Sequence, residues 1–80
     1  MKISKRPPNN LRRYRKQAGL QQNQVAEMLG LKSTSLISRW ENSFSYLDLI
    51  NAFKLAKAYG TTVDALYFDL GESIKVDVQK

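Results

Sequence analysis

The sequence predicts an all-α fold, a compact bundle of five short helices. Apolar residues recur at helical spacing along most of the chain, and no alternating strand pattern competes with them before residue 72. Glycines stand where three helices should stop, because glycine readily adopts the left-handed conformation that follows a helix end. Apolar residues make up 42% of the 80 residues, enough for one small core. The predicted helices span residues 9–18, 21–29, 34–42, 48–59 and 62–69.

The first two predicted helices each combine an apolar stripe with a glycine stop. At about 100° per residue, Arg15 lies beside the stripe of the first helix, whereas Arg12 and the other cations are expected to face outward. The stripes consist of Leu11, Tyr14 and Ala18 in the first helix, and of Val25, Ala26 and Leu29 in the second.

The third predicted helix has two contrasting faces. The polar face consists of Thr34, Ser35, Ser38, Arg39 and Asn42. The opposite face consists of Leu36, Ile37 and Trp40, with Glu41 at its edge. Hydroxyl, amide and guanidinium groups can reach base edges in a major groove. A solvated helix face is the alternative, although such a face usually carries more Lys–Glu pairs than this one.

Glu41 needs a partner, because a carboxylate on a buried face is costly when it is unpaired. Arg15 is the cation that lies beside the apolar stripe of the first helix. We therefore predict an Arg15–Glu41 ion pair that ties the first helix to the third.

The last two predicted helices are separated by Gly60 and followed by a tail. The fourth helix, capped by Asp48, is apolar nearly all round and is expected to be the most buried. The fifth has apolar residues at helical spacing, namely Val63, Leu66, Tyr67 and Leu70. Residues 71–80 are predicted as a C-terminal tail or a short strand, because their apolar residues alternate with polar ones.

The net charge of +6 is concentrated in one half of the chain. Residues 1–40 contain nine basic residues and one acidic residue, and they include a basic N-terminal arm at residues 1–8. A one-sided basic surface suits a polyanion such as nucleic acid, and simple solubility is the alternative. The helical domain is expected to cover residues 9–70.

The absent residue types exclude several classes of function. The chain has no Cys and no His, which excludes disulfides, zinc fingers and catalysis by histidine or cysteine. No cofactor, no metal and no enzymatic activity are expected. No apolar run is long enough to cross a bilayer, so we expect a cytoplasmic protein without a membrane partner.

Three segments of the chain resemble the Cro/repressor-type, or Xre-like, helix-turn-helix family. They are LRRYRKQAGLQQNQVAEMLGL, SLISRWEN and LINAFKLAKAYGTTVDALY, and together they cover most of the chain. The family places a salt bridge between its first and third helices at the positions of Arg15 and Glu41. The resemblance implies a sequence-specific double-stranded DNA-binding transcriptional regulator, with residues 34–42 as the recognition helix in the major groove.

The resemblance also implies the residues that contact DNA. The base-reading positions of the family match Thr34, Ser35, Ser38 and Arg39. Its phosphate contacts match Gln22 and Asn42, and Lys32 and Ser33 border the groove where they could add further phosphate contacts.

The chain departs from the family pattern on both sides of the third helix. The turn LKST is one residue longer than usual, which leaves the register of Ser33, Thr34 and Ser35 open by one residue. After Asn42 the chain reads SFSYL, without the glycine and the basic residues that are usual there. Phe44 and Tyr46 in this loop either fold back onto the fourth helix or form a surface for a protein partner.

The sequence leaves three questions open. Residues 2–6 of the arm are either a disordered tail or a segment that lies along phosphates or in a minor groove. A homodimer, which the family implies, would use the fifth helix and the C-terminal tail. The same scaffold could instead be a protein-interaction module, such as an antitoxin or an adaptor.

Overall fold

The computed structural model describes residues 6–77, and within this range it has six α-helices and no strand. The helices are α1 Leu11–Gln17, α2 Gln22–Leu29, α3 Ser35–Glu41, α4 Leu49–Tyr59, α5 Val63–Leu66 and α6 Phe68–Ser73. The all-α prediction is confirmed, whereas the predicted number of five helices is wrong by one. Residues 1–5 of the predicted arm and residues 78–80 of the predicted tail lie outside the described residues.

The additional helix arises at Tyr67, where the predicted fifth helix is interrupted. Tyr67 has φ −118° and ψ 45°, which lies outside the helical region. Its side chain is buried, and its hydroxyl oxygen accepts a hydrogen bond from the backbone N–H of Leu47 at 3.0 Å. These tertiary contacts override the local helical pattern. α6 then runs to Ser73, past the predicted boundary at residue 70, and residues 74–77 form no strand.

α1 begins at Leu11, two residues later than predicted, because the preceding asparagines bond elsewhere. The Asn9 side-chain oxygen accepts a hydrogen bond from the Leu11 N–H at 3.0 Å. Asn10 donates from its backbone to the Leu66 carbonyl at 2.9 Å and from its side chain to the Ala65 carbonyl at 3.1 Å. The start of α1 is thereby tied to α5.

Side-chain caps begin α4 and α5, and glycines end α2 and α4. The side chains of Asp48 and Thr62 each accept a hydrogen bond from the N–H three residues later, at 3.3 and 3.1 Å. Gly30 and Gly60 follow α2 and α4 with φ of 73° and 70°. A side chain would be strained in this left-handed conformation, so glycine at these two positions defines where the helices stop.

The core lies where α3 and α4 pack against α1, with α2 packed against α3 and α5 against α4. Its most deeply buried large side chains are Leu11, Val25, Ile37, Leu55 and Leu66. Each contributes about 1.5–3 kcal/mol by removal from water. α3 packs on both α1 and α2, which buries Ile37 and Trp40 and leaves the polar face toward the outside. Leu36, which was predicted on the same apolar face, is instead 38% exposed.

α4 is buried on one face only, contrary to the expectation that it is the most buried helix. Its core-facing residues are Ala52, Leu55, Ala56 and Tyr59. On the opposite side, Leu49, Ile50 and Phe53 are exposed by 71%, 68% and 53%. α1 and α5 cover one side of α4. A helix that is apolar nearly all round does not indicate which of its sides is covered.

Candidate nucleic-acid interface

The two faces of α3 differ sharply in burial. Ile37 and Trp40 are 1% and 2% exposed, so these side chains hold α3 to the core. The four predicted base-reading residues are more open: Ser35 and Arg39 are exposed, and Thr34 and Ser38 are half-buried. α3 therefore presents short hydroxyl side chains and one guanidinium on its outer face. Because most of these side chains are short, another molecule can approach the helix closely.

The N-terminal end of α3 follows an exposed turn that contains Lys32 and Ser33. The side chain of Thr34, which immediately precedes the helix, makes no capping hydrogen bond. The Ser33 hydroxyl oxygen accepts a hydrogen bond from the Ser35 N–H at 3.3 Å. A cleft of about 320 Å³ lies between α2 and this turn. Lys32 and Ser33, two of the predicted phosphate contacts, line the cleft and are exposed.

An ion pair between Arg15 and Glu41 anchors the other end of α3. Arg15 Nε lies 2.6 Å from Glu41 Oε2, and Arg15 Nη2 lies 3.3 Å from Oε1. The two side chains are 10% and 1% exposed. Arg15 also donates to the carbonyl of Leu20 at 2.9 Å. This fork-like arrangement satisfies both oxygens of a carboxylate that is otherwise cut off from water.

Two further side chains donate to Glu41, and sequence reasoning missed both contacts. Arg12 Nε lies 3.3 Å and Gln22 Nε2 lies 3.0 Å from Glu41 Oε1. The expectation that Arg12 faces outward is therefore wrong for its guanidinium, although the side chain is still 50% exposed. A helical wheel places only the start of a side chain, and a long arginine can reach back across the surface. Gln22 keeps one of its two amide hydrogens for another acceptor.

These contacts change the acid–base properties of the groups involved. Burial raises the pKa of Glu41, but the hydrogen bonds from Arg15 and Gln22 outweigh it, so its pKa is lower than usual. The hydrogen bond to Glu41 raises the pKa of Arg15. Burial raises the pKa of the nearby Tyr59 to about 12, and the Glu41 charge adds to this shift. Glu41 is therefore ionised and Tyr59 is neutral at neutral pH.

Asn42 connects this ion pair to the polar face of α3. Its side-chain oxygen accepts a hydrogen bond from Arg12 Nη2 at 3.0 Å. Its amide nitrogen donates to the Ser38 hydroxyl oxygen at 3.2 Å. Asn42 was predicted as a phosphate contact, and the structure places its side chain between helix α1 and a predicted base-reading residue.

The chain turns sharply after α3 at Ser43. Ser43 has φ 66°, a conformation that glycine adopts at lower cost, and it occupies the position where the family usually has glycine. The N–H groups of Ser43 and Phe44 return to the carbonyls of Trp40 and Arg39 at 3.2 and 2.9 Å. The Asn9 amide also donates to the Trp40 carbonyl at 2.8 Å. The segment that precedes α1 thus helps to hold the C-terminal end of α3.

Arg6 brings a cation to the loop that has none of its own. Its backbone N–H donates to the Ser43 carbonyl at 3.0 Å, and its Nη1 donates to the Phe44 carbonyl at 2.7 Å. Its guanidinium lies over the Tyr46 ring, 4.9 Å from the centroid. The sequence did not predict that any part of the N-terminal arm contacts the rest of the protein. No pattern in the sequence indicates the contact of Arg6 with this loop.

Tyr46 packs against Tyr67, which follows α5. Its ring meets the Tyr67 ring edge-on, with the centroids 5.9 Å apart. The residue is 42% exposed, whereas Phe44 is half-buried. Tyr46 is therefore held between Tyr67 and Arg6 while part of its ring is still exposed to solvent.

Six basic residues around α1 and α3 are exposed: Arg6, Arg12, Arg13, Lys16, Lys32 and Arg39. Exposed cations can release the counterions of a polyanion at little desolvation cost. Within residues 6–77, no group of three or more acidic side chains could hold a metal ion. None of the helices in the same range has the length and apolar character needed to cross a membrane.

Comparisons with known proteins agree with this arrangement. A family model described as helix-turn-helix matches residues 11–66, which is more than half of the chain. Searches match neither a curated protein nor a solved structure significantly. The matched range begins at the first residue of α1 and ends at the last residue of α5, so it contains the whole Arg15–Glu41 network.

Proposed function

We propose that this chain, which belongs to the Cro/repressor-type helix-turn-helix family of DNA-binding regulators, is a transcriptional regulator. In this proposal it binds double-stranded DNA in a sequence-specific manner. α3 is the recognition helix and enters the major groove. The observation that carries this proposal is the outward polar face of α3, which the buried Ile37 and Trp40 hold in place.

The base-reading residues are Thr34, Ser35, Ser38 and Arg39. The Arg39 guanidinium is exposed and suits the two acceptors of guanine in the major groove. The hydroxyls suit several bases, and the Thr34 methyl group suits the methyl group of thymine. Arg39 should therefore contribute most to specificity.

The phosphate contacts are Gln22, Lys32, Ser33 and Asn42. Lys32 and Ser33 are exposed in the turn before α3. Gln22 and Asn42 each donate one amide hydrogen inside the protein and keep a second for a phosphate oxygen. These contacts position the protein without reading sequence.

The protein acts as a homodimer in this proposal, in the cytoplasm where the nucleoid DNA lies. The dimer uses α5 and the C-terminal tail, with α6 between them. This dimer interface is supported by three exposed apolar side chains, which a second copy of the chain could cover. They are Phe68, Ile74 and Val76, exposed by 55%, 59% and 77%. A protein partner that binds at Phe44 and Tyr46 would modulate the regulator, and the exposed part of the Tyr46 ring supports such a contact.

The test is a selection from random double-stranded DNA at stated salt concentrations, with the mass of the protein in solution recorded. We expect an enriched two-fold symmetric motif. Arg39→Ala should cost about 1–3 kcal/mol of binding and relax one base position, whereas Lys32→Ala should weaken all sequences alike.

Lys57→Ala is the matched control, because this exposed lysine lies in the last turn of α4 and is not one of the proposed DNA contacts. Its removal should change neither the motif nor the relative affinities. A folded protein that enriches no motif would contradict the proposed function. A stable protein complex without DNA affinity would favour the antitoxin or adaptor alternative instead.

A further inference from the structure

We propose that the homodimer forms when the exposed face of α4 in one copy of the chain packs into an acidic cleft between α5 and α6 of a second copy. The exposed face consists of Leu49, Ile50, Phe53 and Lys54. In a two-fold symmetric pair this contact occurs twice, because each copy offers both surfaces. This inference rests on the homodimer of the proposed function, and it adds α4 to the interface.

The side of α4 that points away from the core carries a continuous apolar patch. Leu49, Ile50 and Phe53 are each more than half exposed. At about 100° per residue, the three side chains lie within about 100° of one another around the helix. Large apolar side chains that are clustered on an exposed face mark a surface for another protein. This patch is therefore one half of a protein interface.

The other half is a cleft between α5 and α6. It has a volume of about 370 Å³ and is lined by Asp64, Phe68, Gly71 and Glu72. Phe68 gives the cleft an apolar wall, and Gly71 contributes no side chain that would fill it. A cavity of about 150 Å³ already holds benzene. The cleft therefore has room for the ring of Phe53 from another copy.

The two surfaces carry opposite charges. α4 contains no acidic residue, whereas α5 and α6 contain no basic residue. Lys54, Asp64 and Glu72 are exposed, and within residues 6–77 none of the three belongs to an ion pair. Lys54 lies one turn after Ile50, at the edge of the apolar patch. A patch packed into the cleft brings this ammonium group toward the two carboxylates.

The charges favour this pairing over the two self-pairings of the same surfaces. If α4 packed against α4 of the second copy, basic side chains would approach each other. If the cleft packed against the second cleft, carboxylates would approach each other. Like charges that face each other across an interface weaken binding. Packing α4 into the cleft covers both apolar surfaces and brings opposite charges together.

The proposed DNA contacts lie outside this interface. None of the residues proposed to contact bases or phosphates belongs to α4, α5 or α6. Variants in the interface therefore test dimerisation without removing a DNA contact.

The first experiment measures the mass of the protein by sedimentation equilibrium over a range of concentrations, without DNA. Phe53→Asp should raise the Kd of the dimer at least about a hundredfold, because the pair loses the buried ring twice. Met28→Asp is the matched control, since Met28 is an exposed apolar residue of α2 outside both surfaces. The control should leave the Kd unchanged.

Gly71→Leu tests the cleft without weakening the fold. Gly71 lies inside α6, and no atom of another residue lies within 4 Å of the point where its Cβ would be. Leucine favours a helix more than glycine does, so the variant should unfold at a temperature no lower than that of the wild type. The new side chain fills the cleft, and the Kd should rise at least about tenfold. Gly71→Ala is the control and should change the Kd little.

Reversed charges test the pairing of α4 with the cleft directly. Lys54→Glu makes the α4 face acidic, and the double variant Asp64→Asn/Glu72→Lys makes the cleft basic. Each variant alone brings like charges together in both contacts, so its Kd should rise about tenfold. A one-to-one mixture of the two should dimerise as the wild type does, because both contacts then join opposite charges.

Lys16→Glu, at an exposed lysine of α1, is the control for this mixture. It should dimerise normally on its own and should not restore the dimer when mixed with the double variant. Circular dichroism of each variant establishes that it is folded before its mass is compared.

The outcomes separate this inference from the proposed function. A wild type that is monomeric at every concentration would overturn the pairing, and so would a dimer that Phe53→Asp and Gly71→Leu leave intact. A mixture of the charge-reversed variants that stays monomeric would also overturn it. In each case an enriched DNA motif would leave the proposed DNA binding in place. A dimer with the expected sensitivities that enriches no motif would support the pairing and contradict the regulator.

Discussion

The two ends of α3 are held in different ways. At the C-terminal end, Glu41 is buried and receives hydrogen bonds from Arg12, Arg15 and Gln22. These partners are 19 to 29 residues away along the chain. At the N-terminal end, Thr34 makes no side-chain cap. There, the Ser33 hydroxyl oxygen accepts a hydrogen bond from the Ser35 N–H, only two residues away.

This difference implies a division of roles along α3. The C-terminal end sets the position of the helix relative to α1 and α2, because charged groups that lose a buried partner are costly. The N-terminal end has no buried charge of this kind, which under the proposed function leaves it able to adjust to DNA. The turn that is one residue longer than usual in the family lies at this adjustable end.

The largest expected effect comes from breaking the anchored end with Glu41→Gln. The amide keeps the shape of the side chain but leaves the buried Arg15 guanidinium without a counter-charge. We expect the free energy of unfolding at neutral pH to fall by about 3–5 kcal/mol. Urea denaturation of the variant and the wild type measures this difference.

The pH dependence of the same measurement identifies the cause. The pKa of Glu41 is lowered in the folded protein, so its contribution is complete above the unfolded-state pKa of about 4.3 and is lost as the pH falls through the lower folded-state pKa. The stability gap between wild type and Glu41→Gln should therefore narrow in acid. Glu27→Gln, at an exposed glutamate of α2, is the control and should leave stability unchanged. A gap that stays constant down to acid pH would contradict the role of the charge.

An intermediate effect is expected at Ser43, where the anchored end turns. Left-handed backbone costs about 1–2 kcal/mol in a residue with a Cβ, and Ser43 has φ 66°. Ser43→Gly should therefore be more stable than Ser43→Ala by about 1 kcal/mol, measured by thermal unfolding. The alanine variant separates backbone strain from the weak 3.4 Å contact between Asn9 and the Ser43 hydroxyl. Equal stability of the two variants would show that the turn is not strained.

The smallest effect is expected at the adjustable end. Thr34→Ala should change the free energy of unfolding by less than about 0.5 kcal/mol, because its side chain caps nothing. Thr62→Ala is the comparison, since the Thr62 hydroxyl does cap α5, and its loss should cost about 1 kcal/mol. If Thr34→Ala destabilised the protein as much as Thr62→Ala, the two ends of α3 would be alike and the contrast would fail.

Much of the fold could be predicted from residue patterns that act locally. Gly30 and Gly60 stop helices, and Asp48 caps one, because these effects depend on the backbone conformation of a few neighbouring residues. The pairing of Arg15 with Glu41 was also predictable, since each is the charged residue on an otherwise apolar side of its helix. The contacts of Arg12 and Gln22 were not, because long side chains reach partners that a helical wheel does not show.

The sequence by itself determined the all-α class, the position of the glycine helix stops and the identity of the polar face of α3. Burial on one side of a helix produces a periodic pattern of apolar residues, and a left-handed backbone conformation favours glycine at one position. Only the tertiary structure decided which side of α4 is covered. It also decided that the last predicted helix is interrupted at Tyr67 and that Arg6 contacts the loop after α3. Those outcomes depend on which surfaces meet across the fold, and contacts between distant residues have no fixed spacing along the chain. The hydrogen bonds of Asn42 with Arg12 and Ser38 belong to the same class, since they join α1 to the end of α3.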